Sequence, residues 1–264
     1  MNTRFDDILG NKEKNSSKLE SVLLGGGLIL VLLLIWEGAT RLGWANPVFS
    51  SSPSRVVKTL FDLIKKGDLW RHISASSKLF FLGYGGAIVI GVPLGIAIGW
   101  FEKLRKAVEP LLSAIYVIPR IALMPLFIIW FGLGIESKLV LVFLSAFFNI
   151  TINMQTAMMN LNKDLTKVAV AYGANMRQFF FTIALPQAVP YLITGLRLAA
   201  GRALVGVVGA EVFGGAEGLG YLIQYAGATF QTNTVFACVF VFAIIGISID
   251  RILYAIGKKF DTWH

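Results

Sequence analysis

Residues 79–101 run for 23 positions without one charged side chain, and nothing else in the chain restricts its fold as much. At ~1.5 Å of rise per residue, a helix of that length crosses the ~30 Å hydrocarbon layer of a bilayer. A second charge-free stretch covers 139–162, and further apolar runs cover 21–36, 108–132, 188–212 and 235–256. The spacing predicts an all-α membrane protein with about six transmembrane helices. Composition agrees. Charged residues make up 15% of the 264, where soluble domains carry about 25%, and mean hydropathy is +0.70.

The formal charge of +9 does not point to nucleic acid, because the basic residues lie mostly in short segments between apolar runs. That is where membrane topology signals sit. Cys238 is the sole cysteine and lies inside an apolar run, which excludes a disulfide framework or a multi-cysteine metal site. His72 and His264 are far apart and have no companions at ligand spacing. No catalytic, cofactor-binding or metal-binding constellation is expected.

In chain order, residues 1–20 form a polar tail expected in the cytoplasm, ahead of a retained first span at 21–36; residues 21–264 form the membrane domain. The connection 37–79 opens with loop signals and becomes amphipathic. Val56, Val57, Leu60, Leu63 and Ile64 share one face, predicting an interfacial helix. Its seven Lys/Arg run against the charge rule if it faces outward. Within 79–101, Gly83, Ala87, Gly91, Gly95 and Gly99 recur every fourth residue, a stripe that lets another backbone approach. It serves either a moving seam or ordinary tight packing. The third span, 108–132, contains Pro110, Pro119, Arg120 and Pro125 and is expected to kink. The stretch Phe213-Gly-Gly-Ala-Glu-Gly-Leu-Gly-Tyr-Leu-Ile-Gln224 is expected to be re-entrant or interfacial. Arg251, Lys258 and Lys259 place the end of the last span inside, so both termini are cytoplasmic.

One segment interrupts this pattern. Residues 160–187 are polar and amphipathic, falling between the fourth and fifth spans on the cytoplasmic side. Leu165, Val168, Ala169 and Tyr172 share one face of a short helix, and Gly173 supplies a sharp turn. Met176, Phe179, Phe180 and Ile183 line a second short helix that Pro186 is expected to end. Two short helices at an angle make a knob that fits a groove on a soluble partner; a merely structural loop fits as well.

These residues resemble those of ABC-importer permeases, whose cytoplasmic coupling motif has Glu-Ala-Ala, three residues, Gly, and later a Pro after an aliphatic residue. Here the match is Lys167-Val168-Ala169, Gly173 and Leu185-Pro186, continuing through Gln187-Ala-Val-Pro190 and Thr194-Gly-Leu-Arg197. Other stretches resemble the nitrate/sulfonate/taurine branch: Leu69-Trp-Arg-His-Ile-Ser-Ala-Ser76, Ile118-Pro119 with Met124-Pro125, Trp130-Phe-Gly-Leu-Gly-Ile-Glu-Ser-Lys138, Ala210-Glu211 and Gly218-Leu-Gly-Tyr-Leu-Ile223. The chain departs from the pattern at Lys167, where the family has glutamate. It departs again at Tyr116-Val-Ile-Pro-Arg120, where the branch is richer in proline.

The resemblance implies a bacterial inner-membrane permease that is not itself an enzyme. It implies two permease subunits, of which a second copy of this chain (a homodimer) is the simpler expectation and a heterodimer the alternative, together with two ATP-binding subunits and an extracytoplasmic substrate-binding protein. Lys167, Val168, Ala169, Tyr172, Gly173, Phe179 and Pro186 are then the ATPase-coupling residues. ATP and magnesium would sit in the partner ATPase, since this chain has no G-x-x-x-x-G-K-[ST] phosphate loop. The expected cargo is a small anionic (nitrate-, sulfonate- or taurine-like) or aromatic solute.

Pro119, Arg120 and Glu211 are the candidate path residues. An ionised group at the centre of a span costs ~2.5–3.5 kcal/mol on insertion scales, so each needs a cavity or a partner. Arg120 and Glu211 either contact solute or pair with one another or with other groups to fix helix packing. Arg197 and Arg202 are read as nearer the cytoplasmic end, where they can snorkel. Two rival classes remain at this point, an ion-gradient-driven secondary transporter and a non-transporting scaffold. The first calls for a half-to-half repeat, which is not convincing here, and the second leaves the knob without a purpose.

Overall fold

The computed structural model of the chain describes residues 24–259 apart from 45, 47 and 48; the tail 1–20 and the start of the first span lie outside them. The described residues form helices and connections, with no strand among them. In order these are α1 (Leu24–Arg41), α2 (Pro53–Lys65), α3 (Asp68–Trp100), α4 (Glu102–Tyr116), a 3-10 turn (Arg120–Leu123), α5 (Met124–Phe131) and α6 (Ile135–Met159). There follow α7 (Lys163–Ala171), α8 (Met176–Phe179), a π-turn (Phe180–Ala184), α9 (Leu185–Gly214), α10 (Leu219–Ala228) and α11 (Thr232–Lys258). Five helices are long and apolar enough to cross a membrane, and the bent pair α4/α5 brings the number to six where it is counted as one broken span.

The small-residue stripe explains the centre of the bundle. A Cβ placed on Gly83 would lie 2.7 Å from Val142, one on Gly91 3.3 Å from Ile150, and one on Gly99 2.5 Å from Met158. The constant offset shows that α3 and α6 run parallel with backbones nearly touching. The stripe is thus a packing seam within the chain. Helix α9 packs antiparallel on the same pair, with Gly195 against Asn153 and Gly206 against Ser145. Leu79, Phe80, Ala87, Leu141, Val142, Ala146, Ala199, Ala203 and Val207 fill the space between the three.

Helix α11 is antiparallel to α9, with Gly257 against Ile193 and Gly246 against Leu204. Four helix ends meet at one end of the bundle, hereafter the loop end: the last turns of α3, α6 and α11 and the first turn of α9. The opposite, far end holds the end of α1, where Trp36 packs on Phe236 at 5.2 Å. It also holds the start of α2, whose Ser54 gives both its N–H and its hydroxyl to Glu37 at 3.0 and 2.8 Å. The finish of α11 therefore lies at the loop end, while α1 is anchored to the far end by its last turns.

Three expectations change. The second span begins at Asp68, so the first connection is shorter than 37–79. Its amphipathic helix α2 buries Val56 and packs Leu60 and Leu63 on Leu69, Leu219 and Cys238, leaving Val57 and Ile64 outside. The span expected over 108–132 is not one kinked helix: α4 and the Arg120–Phe131 segment bend by 84°. Pro119 has an extended backbone there (φ −67°, ψ 100°), because proline disfavours helical geometry at Ile118 and cannot continue the hydrogen-bond ladder. Finally, Pro186 does not end a helix. Met176–Gly214 forms one 39-residue helical rod. The Leu185 N–H reaches back five residues to Phe180 O, and this wider turn makes room for the proline ring that a regular α-turn would block.

Candidate functional site

The polar loop is built at the loop end by paired caps. The Asn162 side chain accepts from the backbone of Asp164 (2.8 Å) and Leu165 (3.2 Å), starting α7. Its own N–H donates to Gln187 Oε1 at 2.9 Å, fastening α7 to the first turn of α9. At the other end of α7 the Ala174 N–H donates to Ala169 O and the Gly173 N–H to Val170 O. Gly173 sits at φ +71°, the left-handed position such a helix end demands and glycine supplies without strain. Asn175 and Gln178 then form a reciprocal capping box, both bonds 2.9 Å.

What this frame displays is apolar. Leu165, Val168, Val170, Tyr172 and Met176 are all exposed, Tyr172 at 88%. Ala169, placed on the same face in sequence, instead turns inward and is buried. Phe179 and Phe180 lie against Trp100 at 6.0 and 5.0 Å between ring centres, so the second half of the loop rests on the end of α3. Lys167 makes only an exposed ion pair with Asp164 (3.1 Å). Such a pair contributes about 0–1 kcal/mol, which leaves the ammonium available to a partner. Lys167, Val168, Tyr172 and Gly173 thus lie together at the displayed part of the loop, whereas Pro186 sits ten residues past Met176, nearly three turns along the rod.

Arg120 and Glu211 do not pair. Arg120, at the break after α4, donates to Tyr116 O at 3.2 Å and stacks over Tyr116 (5.2 Å) and Phe148 (5.0 Å). Its Nε is shielded and has no partner. Arg197, read as a snorkelling residue, is tied by a two-pronged ion pair to Asp250 on α11 (2.8 and 3.1 Å) and lies over Tyr254.

Glu211 is buried at the far end and anchors α10. The Ser76 hydroxyl donates to its carboxyl at 2.8–2.9 Å, and the Gly220 N–H donates at 2.7 Å. Ser76 Oγ in turn accepts from Leu219 N–H at 2.8 Å, and His72 Nδ1 accepts from Gly218 N–H at 3.1 Å. Together Glu211, Ser76 and His72 satisfy three N–H groups at the start of α10 that would otherwise be orphans. Gly218 (φ +118°) has no room for a Cβ, which would run into the Glu211 carboxyl. Beside this clamp lies a cavity of about 520 Å³ lined by Arg71, Ser74, Lys78, Lys138, Glu211 and Glu217, among others. Sequence reading singled out Glu211 but missed Ser76 and His72, though they stand four apart on one face of α3, the signal that could have found them.

Residues 91–262 match the protein family described as binding-protein-dependent transport system inner membrane component. The taurine transport system permease protein TauC of Escherichia coli (strain K12) is 29% identical over 97% of this chain and 98% of its own length. The putative aliphatic sulfonates transport permease protein SsuC of Bacillus subtilis (strain 168) is 33% identical over 90% and 87%. The formylaminopyrimidine transport permease protein ThiX of Halalkalibacterium halodurans is 34% identical over 83% and 86%. Among solved structures, the MetNI methionine ABC transporter in an inward-facing conformation covers 73% of this chain and 95% of its own, with a TM-score of 0.62 and 21% identity, a likeness of fold. The chain therefore belongs to the binding-protein-dependent inner-membrane permeases of ABC importers, in the sulfonate/taurine branch.

Proposed function

We propose that this chain forms the membrane path of an ATP-driven importer for a small anionic solute of sulfonate type, delivered by an extracytoplasmic binding protein. The observation that carries the reading is the capped loop 160–187, whose apolar residues Leu165, Val168, Tyr172 and Met176 are held outward by a rigid frame. A surface of that kind at one end of a membrane bundle suits a groove on a soluble subunit. Two copies of the permease, joined by two ATP-binding subunits that hold ATP and magnesium, complete the assembly. The loop end then faces the cytoplasm, with both termini on that side, and the cavity beside Glu211 faces the binding protein.

The fastening of the loop to α3 through Trp100, and to α9 through Gln187, gives motion at the loop a direct mechanical route into the bundle. Pro119 and Arg120 sit where the third crossing is broken and are assigned to the path. Irregular backbone inside a membrane persists where protein or a water-filled passage satisfies it. Relatives named for sulfonates and for a pyrimidine leave anionic and aromatic cargo as the two candidates, and the cation at Arg120 favours the anion. Tagged chain extracted from its native membrane should bring down an ATPase subunit. Consistent recovery of the chain without one, under extraction that keeps permease dimers intact, refutes the proposal.

A further inference from the structure

We infer that Arg120 and Arg202 together form an anion-binding subsite at mid-depth of the bundle, taking the oxyanion group of the solute. The inference rests on the transport-path reading and adds a second cation and a depth to it. Arg202 was placed in sequence near one end of its span; the packing puts it elsewhere. Gly195 lies against Asn153 and Gly206 against Ser145 on the antiparallel helix α6, so Arg202 falls level with the residues around Phe148. The Arg120 guanidinium lies 5.0 Å over the Phe148 ring, and Phe148 stands one residue from the centre of Ile135–Met159. The two arginines, from α9 and from the broken third crossing, therefore share one level.

They also share one side of α9: Gly209, two turns from Arg202 on the same helix face, packs against Ile121, the neighbour of Arg120. Among the described residues neither has a carboxylate partner. The shielded Nε of Arg120 has no acceptor at all, and Arg202 is exposed on the surface of the single chain. Two repelling guanidiniums facing lipid at that depth would be unstable; facing a passage, they are relieved by one anion between them. Guanidinium forks match the paired oxygens of sulfonate, carboxylate or phosphonate groups, and the Tyr116 and Phe148 rings hold Arg120 in place by stacking.

The test uses the full chain in lipid nanodiscs, titrated with sodium ethanesulfonate against sodium chloride at matched ionic strength, with thermal stabilisation as the readout. Wild type should show saturable stabilisation by ethanesulfonate above the chloride baseline. Arg120→Gln and Arg202→Gln should each raise the half-saturating concentration about tenfold, as expected for loss of one charge-assisted contact. Arg202→Lys, which keeps the charge but loses the fork, should fall between wild type and Arg202→Gln. Three results overturn the inference: no saturable effect in wild type, equal titrations for wild type and Arg202→Gln, or equal losses in Arg202→Lys and Arg202→Gln. ATPase recovery reports separately on the transport reading, so an intact complex without anion binding sinks the subsite alone. Anion binding by a chain that recruits no ATPase sinks the transport reading instead.

Discussion

Replacing Ser76 by alanine should release α10 from the far end of the bundle. Ser76 Oγ is the hub of the clamp, accepting from Leu219 N–H at 2.8 Å and donating to the Glu211 carboxyl at 2.8–2.9 Å. Both neighbours are buried, Leu219 at 0% and Glu211 at 2% exposure, so water does not readily replace the lost hydroxyl. Each buried group left unpaired costs about 1–3 kcal/mol, which gives a combined penalty of about 2–6 kcal/mol. The remaining ties, Gly218 N–H to His72 and Gly220 N–H to Glu211, are one bond each. The docked helix should therefore open about 30-fold more often at the low end of that range. Hydrogen exchange of the 218–228 amides in nanodiscs measures this opening. Ser77→Ala is the control, because Ser77 is half-buried and its hydroxyl makes no hydrogen bond among the described residues. Equal exchange of 218–228 in Ser76→Ala, Ser77→Ala and wild type would refute the clamp.

Two further substitutions follow from the same geometry. Gly95→Ala would set a Cβ 2.5 Å from Thr151 O and 2.6 Å from Met154 Cβ, whereas a Cβ on Gly86 meets only the Phe143 ring at 3.6 Å. Gly95→Ala should therefore lose about 1–3 kcal/mol to overpacking in a detergent-denaturation series, with Gly86→Ala near wild type. Equal losses would count against the α3–α6 seam. Gly173→Ala meets no atom within 4 Å, so its penalty is the backbone strain at φ +71°, about 1–2 kcal/mol. ATPase recovery should fall about 5–30-fold if that turn must form to bind, and Gly173→Asn, which tolerates this conformation, should fall less.

The apolar runs and the glycine stripe made the spans and the central seam legible in sequence, because period and length are local properties. The loop was legible too, since Gly173 and the amphipathic pattern on either side of it are local signals. What could not be read was set by distant partners. Glu211 looked like a partner for Arg120, until Ser76 and Gly220, 135 and 9 positions away, supplied its bonds; its place in the cavity lining leaves the path reading standing. Arg202 was misplaced because depth depends on how α9 slides against α6, which no periodicity fixes. Pro186 was read as a stop because proline usually is one, and a π-turn just before it is not visible in composition.

The loop 160–187 is proposed as the point where an ATPase grips the permease. Attaching benzophenone-maleimide to Tyr172→Cys, with Trp44→Cys at the far end as control, tests this most directly. Tyr172 and Trp44 are comparably exposed, at 88% and 80%, and the native Cys238 is fully buried. After illumination in native membranes, the Tyr172→Cys chain should yield an adduct containing one ATPase subunit, and the Trp44→Cys chain should not. No ATPase adduct at position 172, or the same adduct from both positions, would contradict the account.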